Sequence, residues 1–105
     1  MTLKEIQKEV DAWTSQYTPQ YWKPHEILAR LMEETGELAR EINHRYGPKK
    51  KKSTEEIREL EDGLGDILFT LCCLANSLHI DLDASFDRMM EKTKARDSQR
   101  FVKKI

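Results

Sequence analysis

The chain has 105 residues, 35% of them charged and 8% aromatic, with a formal net charge of -1, which is the size of a single domain. That balance excludes electrostatic capture of polymeric nucleic acid or of an anionic membrane surface. No apolar run approaches the ~20 residues of a membrane span and the amino terminus lacks a signal-peptide core, so a cytoplasmic protein is expected.

Leu, Ile, Glu, Lys, Arg and Ala are abundant while valine occurs only as Val10 and Val102, a composition that favours helices over sheets. Leu3, Ile6, Val10 and Trp13 recur every three to four residues and predict an amphipathic helix from Leu3 to about Tyr17. Pro19 and Pro24 bracket a connection containing Tyr21 and Trp22. Pro24 suits a first helical turn, and Ile27, Leu31, Leu38 and Ile42 continue a stripe that Gly47-Pro48 stops, so a second helix is expected over about 24–46. The lysine-rich stretch from Gly47 to Lys52 reads as a solvated loop. Ser53 with Glu56, or Thr54, offers a cap for a third helix of about 54–78, striped by Leu60, Leu64, Ile67, Leu71, Leu74 and Leu78. Asp81 caps a fourth helix through Leu82, Phe86, Met89 and Met90 that ends near Asp97, and 98–105 is expected to be a flexible tail.

Four helices with short connections predict an all-α bundle. The third is apolar over much of its circumference between Ile67 and Leu78, and such surplus area usually buries against another copy, which predicts a homodimer or homotetramer. Cys72 and Cys73 are neighbours that project about 100° apart on a helix and read as buried reduced thiols. No CxxC or Cys/His spacing points to zinc.

The pattern that carries chemistry is a pair of matching acidic turns, Glu33-Glu34-Thr35-Gly36-Glu37 and Asp62-Gly63-Leu64-Gly65-Asp66. With Leu31 at zero on a helical wheel, Glu34 lies about 60° to one side and Glu37 about 120°, so the acids shoulder the core stripe. Gly63 and Asp66 hold the same angles relative to Leu60. Antiparallel packing by the stripes brings the two shoulders together. Like charges so gathered repel and call for a cation, and oxygen donors without His or Cys favour magnesium, or manganese, over zinc. Gly36 and Gly65 each cost about 1 kcal/mol relative to alanine in a helix, which suggests close helix approach or room for a ligand. A solvated acidic face is the plain alternative for either turn alone. Lys92 and Arg96 on the fourth helix, with Arg100 continuing the i+4 spacing just past its end, are candidates for neutralising phosphate oxygens.

These residues resemble the MazG-like nucleotide pyrophosphohydrolases of the all-α NTP pyrophosphatase superfamily, in their small single-domain form. The family pattern is EExxE, a spacer, then ExxD. Glu33-Glu34-Thr35-Gly36-Glu37 matches the first half, and Gly63-Leu64-Gly65-Asp66 matches the second except at its first position. The likeness extends through Ala29-Arg30-Leu31, Asn43-His44-Arg45-Tyr46-Gly47 and Cys73-Leu74-Ala75-Asn76.

The resemblance implies hydrolysis of a nucleoside or deoxynucleoside triphosphate to monophosphate and pyrophosphate by water attack at the α-phosphorus. It implies Glu34, Glu37 and Asp66 as metal ligands and Glu33 as an additional acid. Lys92 and Arg96 would meet phosphate, and Trp13, Tyr21 and Trp22 are candidates for a base pocket, with ordinary packing an equal reading for each. Gly63 deletes a carboxylate at a family ligand position, so weakened magnesium binding and low turnover are expected. The alternative from another class is a catalytically weak nucleotide-binding or interaction protein that keeps the fold.

Overall fold

The computed structural model describes residues 1–47 and 55–104, and of 55–58 the backbone only. The lysine-rich stretch beyond Gly47 and the expected cap at Ser53 or Thr54 lie outside the described residues. The described chain is all-α: α1 (Leu3–Thr14), α2 (Pro24–Tyr46), α3 (Glu55–Ser77) and α4 (Leu82–Asp97), with no strand among the described residues.

Local chemistry sets the helix ends. Thr2 Oγ1 accepts from Glu5 N at 3.1 Å while Thr2 N donates to Glu5 Oε1 at 3.2 Å, a reciprocal cap that starts α1. The helix stops short of Tyr17. Ser15 Oγ and Gln16 Nε2 donate to the Ala12 and Trp13 carbonyls at 2.8 and 3.0 Å, and this local bonding competes with continued helix. Pro24 opens α2, where Lys23 N donates to Glu26 Oε1 at 3.0 Å. Asp81 Oδ1 accepts from Asp83 N at 2.9 Å and Ala84 N at 3.4 Å to start α4. Between α3 and α4, His79 adopts φ 57°. Ile80 N donates to Ala75 O at 2.8 Å and His79 N to Asn76 O at 3.1 Å, the pairing of a Schellman turn with histidine where glycine is usual.

α2 and α3, each about 35 Å long, form the principal pair. Leu38 meets Gly63, Glu34 and Asp66 lie together at one end of a shared cleft, and Glu41 and Glu59 line that cleft farther along, so the two helices run antiparallel. α1 packs on α3, and α4 turns through 104° from α3 and packs on α1. No single described helix is long and apolar enough to cross a membrane.

Gln7 of α1 fastens three segments. Its Nε2 donates to Asn76 Oδ1 at 2.9 Å and to Ile80 O at 2.8 Å, and its Oε1 accepts from Leu82 N at 2.9 Å. All three polar positions of a buried amide are thereby satisfied.

The buried apolar set among the described residues is small, Val10, Ile27, Cys72 and Ala75, with Cys72 alone fully enclosed. Of the stripe predicted for α3, Leu60, Ile67 and Leu74 are half-buried and Leu64, Leu71 and Leu78 are exposed, as is Leu68 beside them. The chain exposes 8678 Å² and has a radius of gyration of 17.2 Å. A compact monomer of its mass would expose about 6,100 Å² and have a radius near ~13 Å.

The glycines of the acidic turns differ from one another. A Cβ on Gly36 or Gly65 would meet nothing within 4 Å, so close helix approach is not their role. Gly63 is the position of close approach: a Cβ there would lie 3.3 Å from Leu38 Cδ1.

Candidate active site

Two cavities meet between α2 and α3. The first, about 360 Å³, is an acidic cleft lined by Glu34, Glu37, Leu38, Arg40 and Glu41 from α2 and by Glu59, Asp62, Gly63 and Asp66 from α3. Helical spacing explains the lining: Glu34, Glu37 and Glu41 share one face of α2, and Glu59, Asp62 or Gly63, and Asp66 share one face of α3. The second, about 240 Å³, is an aromatic pocket. Its walls are Tyr21, Trp22, Ile27, Phe69 and Cys73, with Thr14, Gln20 and Thr70 as polar members. Glu34 and Asp66 line both cavities, and Arg30 lines the pocket beside them.

Glu34 is only 6% exposed, and a buried carboxylate requires a counter-charge. Arg30 supplies one: its Nε donates to Glu34 Oε1 at 2.7 Å across one helical turn. The hydrogen bond that Arg30 donates to Glu34, and then the Glu34 charge, push the guanidinium further up from its ordinary value. Thr70 Oγ1 donates to Asp66 O at 2.8 Å, beside the other shared carboxylate.

The aromatic wall is fixed from below. Tyr21 OH donates to Asp11 Oδ1 at 2.7 Å and accepts from Asn76 Nδ2 at 3.0 Å. Asn76 Nδ2 also donates to Gln7 O at 3.0 Å. Burial, the largest cause, pushes the Tyr21 phenol above its ordinary value. Gln20 Nε2 donates to Asp11 Oδ1 at 3.0 Å, holding the loop between α1 and α2 against α1. Burial likewise raises the Cys72 thiol and pushes Cys73, on the pocket wall, up to about 11.

The residues singled out from the sequence separate into groups. Glu34, Glu37 and Asp66 lie in the acidic cleft, and Tyr21 and Trp22 in the aromatic pocket. Glu33 is exposed and lines neither cavity. Trp13 stands outside the pocket: its ring meets Tyr17 edge-on at 5.3 Å, and it lines a separate hollow with Ile6, Glu9, Val10 and Phe69. Lys92 and Arg96 are exposed on α4 and line neither cavity, and Arg96 Nη2 pairs with Asp97 Oδ2 at 2.9 Å. Sequence reasoning missed Arg30, Phe69, Gln7 and Asn76 as parts of the site or its support. The i, i+4 spacing of Arg30 and Glu34 was the available signal.

The donor chemistry of the cleft, carboxylate oxygens without imidazole or thiol, fits a hard divalent cation. Its side chains are not drawn together around one point: among the described residues no three acidic, histidine or cysteine groups gather closely enough to hold an ion. Glu34 instead has one oxygen committed to Arg30.

Comparison with known proteins gives a family match and similar structures over most of the chain. Residues 22–101 match the family described as the MazG nucleotide pyrophosphohydrolase domain. The chain is 52% identical over 103 residues to YpjD of Bacillus subtilis (strain 168), an uncharacterized protein, covering 98% of this chain and 93% of that one. The crystal structure of YPJD from Bacillus subtilis superposes with a TM-score of 0.82 at 53% identity, over 88% of this chain and 94% of that chain. A Bacillus-conserved MazG protein, described as a nucleotide pyrophosphohydrolase, superposes with a TM-score of 0.79 at 46% identity, over 92% and 94%.

Proposed function

The chain belongs to the MazG nucleotide pyrophosphohydrolase family, and from that premise we propose that it hydrolyses nucleoside or deoxynucleoside triphosphates to monophosphate and pyrophosphate. In this reading it is a cytoplasmic house-cleaning enzyme that removes surplus or non-standard nucleotides. The observation that carries the reading is the shared wall: Glu34 and Asp66 line both the acidic cleft and the aromatic pocket. A flat apolar base and a polyanionic tail thus have adjoining, chemically matched places.

Glu34, Glu37 and Asp66 would hold magnesium, with manganese a substitute. When bound, the ion supplies positive charge against the oxygens that gain negative charge as the α-phosphorus is attacked. Tyr21 and Trp22 offer the base an aromatic wall, and Phe69 closes it from α3. The Asp11, Asn76 and Gln7 hydrogen bonds fix that wall before substrate arrives, which limits the ordering cost of binding. A carboxylate of the cleft that is free of metal positions or deprotonates the attacking water.

Gly63 lowers turnover in this reading, because no carboxylate stands there. The same residue gives α3 its closest approach to Leu38. Gly63→Glu must displace the end of the Leu38 side chain by a few tenths of an ångström, which a flexible side chain can do. We expect this variant to bind Mn²⁺ more tightly, by calorimetric titration, and to turn over faster than the parent.

The working unit is a homodimer or homotetramer. The excess of exposed area over a compact monomer and the exposed leucines of α3 support this. Assembly also offers a route for Lys92 and Arg96 to reach phosphate.

The test is chromatographic detection of monophosphate and pyrophosphate from a panel of ordinary and modified triphosphates, with Mg²⁺ and with chelator. Metal-dependent monophosphate formation that falls at least ~100-fold in Glu34→Gln and in Asp66→Asn is expected. Absence of product from every substrate, with the protein folded, would remove the enzymatic reading.

A further inference from the structure

The guanidinium of Arg30 is the sole cationic group lining the aromatic pocket among the described residues, and it stands next to the wall that the pocket shares with the acidic cleft. Among the described residues only its Nε is engaged, on Glu34 Oε1 at 2.7 Å. Its side chain is 50% exposed, whereas that of Glu34 is 8% exposed. The pair is therefore unlike an ordinary surface ion pair, in which both partners are solvated and the net interaction is small. One partner is embedded in the cavity wall, and it holds the other by a single nitrogen.

We propose that Arg30 takes the substrate phosphate nearest the nucleoside, with Glu34 fixing the guanidinium so that its two terminal nitrogens are presented at the junction of pocket and cleft. The inference rests on the pyrophosphohydrolase reading and assigns a phosphate contact within it.

The physical argument has three parts. A cleft lined by carboxylates repels a triphosphate except where a cation screens them, and the junction is the place where the α-phosphate of a nucleotide seated in the pocket must pass. A guanidinium matches phosphate oxygens through parallel N–H donors and keeps its charge throughout the working pH range. Anchoring Nε to a buried carboxylate removes rotamer freedom before binding, so less is lost when phosphate docks. Lys92 and Arg96, the basic residues predicted from the sequence, line neither cavity within one chain, and Arg40 in the cleft lies away from the pocket.

The experiment is calorimetric titration of the wild type, Arg30→Gln and Arg30→Lys with the common nucleosides and deoxynucleosides and with their 5′-monophosphates. The wild type is expected to prefer a monophosphate to its nucleoside by tenfold or more. Arg30→Gln should lose that margin while binding the nucleoside within about twofold of wild type, so the nucleoside measurement also reports an intact pocket. Arg30→Lys, which keeps the charge and loses the fork, should fall between them. A retained margin in Arg30→Gln would overturn the proposal and reduce Arg30 to a tether for Glu34. Loss of nucleoside and monophosphate binding together would also overturn it, as would a wild type that hydrolyses triphosphates yet shows no margin. A wild type that hydrolyses no triphosphate would instead remove the reading on which the inference stands.

Discussion

At the scale of single residues, the site is defined by which charges are buried and which are screened. The Cys73 thiol, pushed up to about 11 by burial and then by Cys72, should resist iodoacetamide at pH 8 in the native protein and react within minutes after unfolding. Its linkage to stability follows from the direction of the shift. Below the ordinary value of 9.0 both states hold the proton; between there and about 11 the unfolded chain loses it while the folded chain keeps it. Stability therefore falls as pH rises through that window, and denaturant titrations of Cys73→Ala should show a shallower fall than the parent.

Glycine substitutions read the packing directly. Gly36→Ala and Gly65→Ala meet open space and should stabilise by about 0.5–1 kcal/mol, whereas Gly63→Ala should gain less because Leu38 must move. Much of this site was visible in the sequence, because carboxylates at helical spacing must share a face. Arg30 escaped attention because an Arg four residues before a Glu is a common surface pair. Its meaning comes from the burial of Glu34, which is a tertiary fact.

At the scale of elements, α2 and α4 end where their caps and stripes predicted. α1 falls short of Tyr17, since side-chain bonding at Ser15 and Gln16 carries no signal in apolar period. The Schellman turn holds His79 at φ 57°, a conformation costly to a residue with a Cβ. His79→Gly should raise stability by about 1 kcal/mol, measured by urea denaturation, with activity unchanged. Gln7 has the opposite character, because it satisfies Asn76, Ile80 and Leu82 at once. Gln7→Ala should cost about 2–4 kcal/mol, as buried donors and acceptors lose their partners together, and should loosen the Tyr21 wall through Asn76. The paths of α3 and α4 after Ser77 were not legible. Hydrophobic spacing gives each helix its inner face but not the 104° angle between them.

At the scale of the molecule, the proposed homo-oligomer makes predictions that start from the large exposed area and the small buried core. Sedimentation equilibrium should return a multiple of 12.4 kDa. The thermal midpoint should rise with protein concentration, as mass action requires when a second copy completes the fold. Leu64→Lys, on the exposed side of α3, should shift the equilibrium toward the monomer and lower that midpoint.

The wall shared by cleft and pocket also bears on how such a protein can change over generations. Under the proposed chemistry, Glu34 and Asp66 serve two masters, so a replacement that reshapes the floor beneath the base disturbs the grip on the phosphates as well. Tyr21, Trp22 and Phe69 line the pocket and not the cleft. Drift in base preference is therefore channelled to the outer rim, and a lineage can exchange one nucleotide for another there while the inner carboxylates stand still.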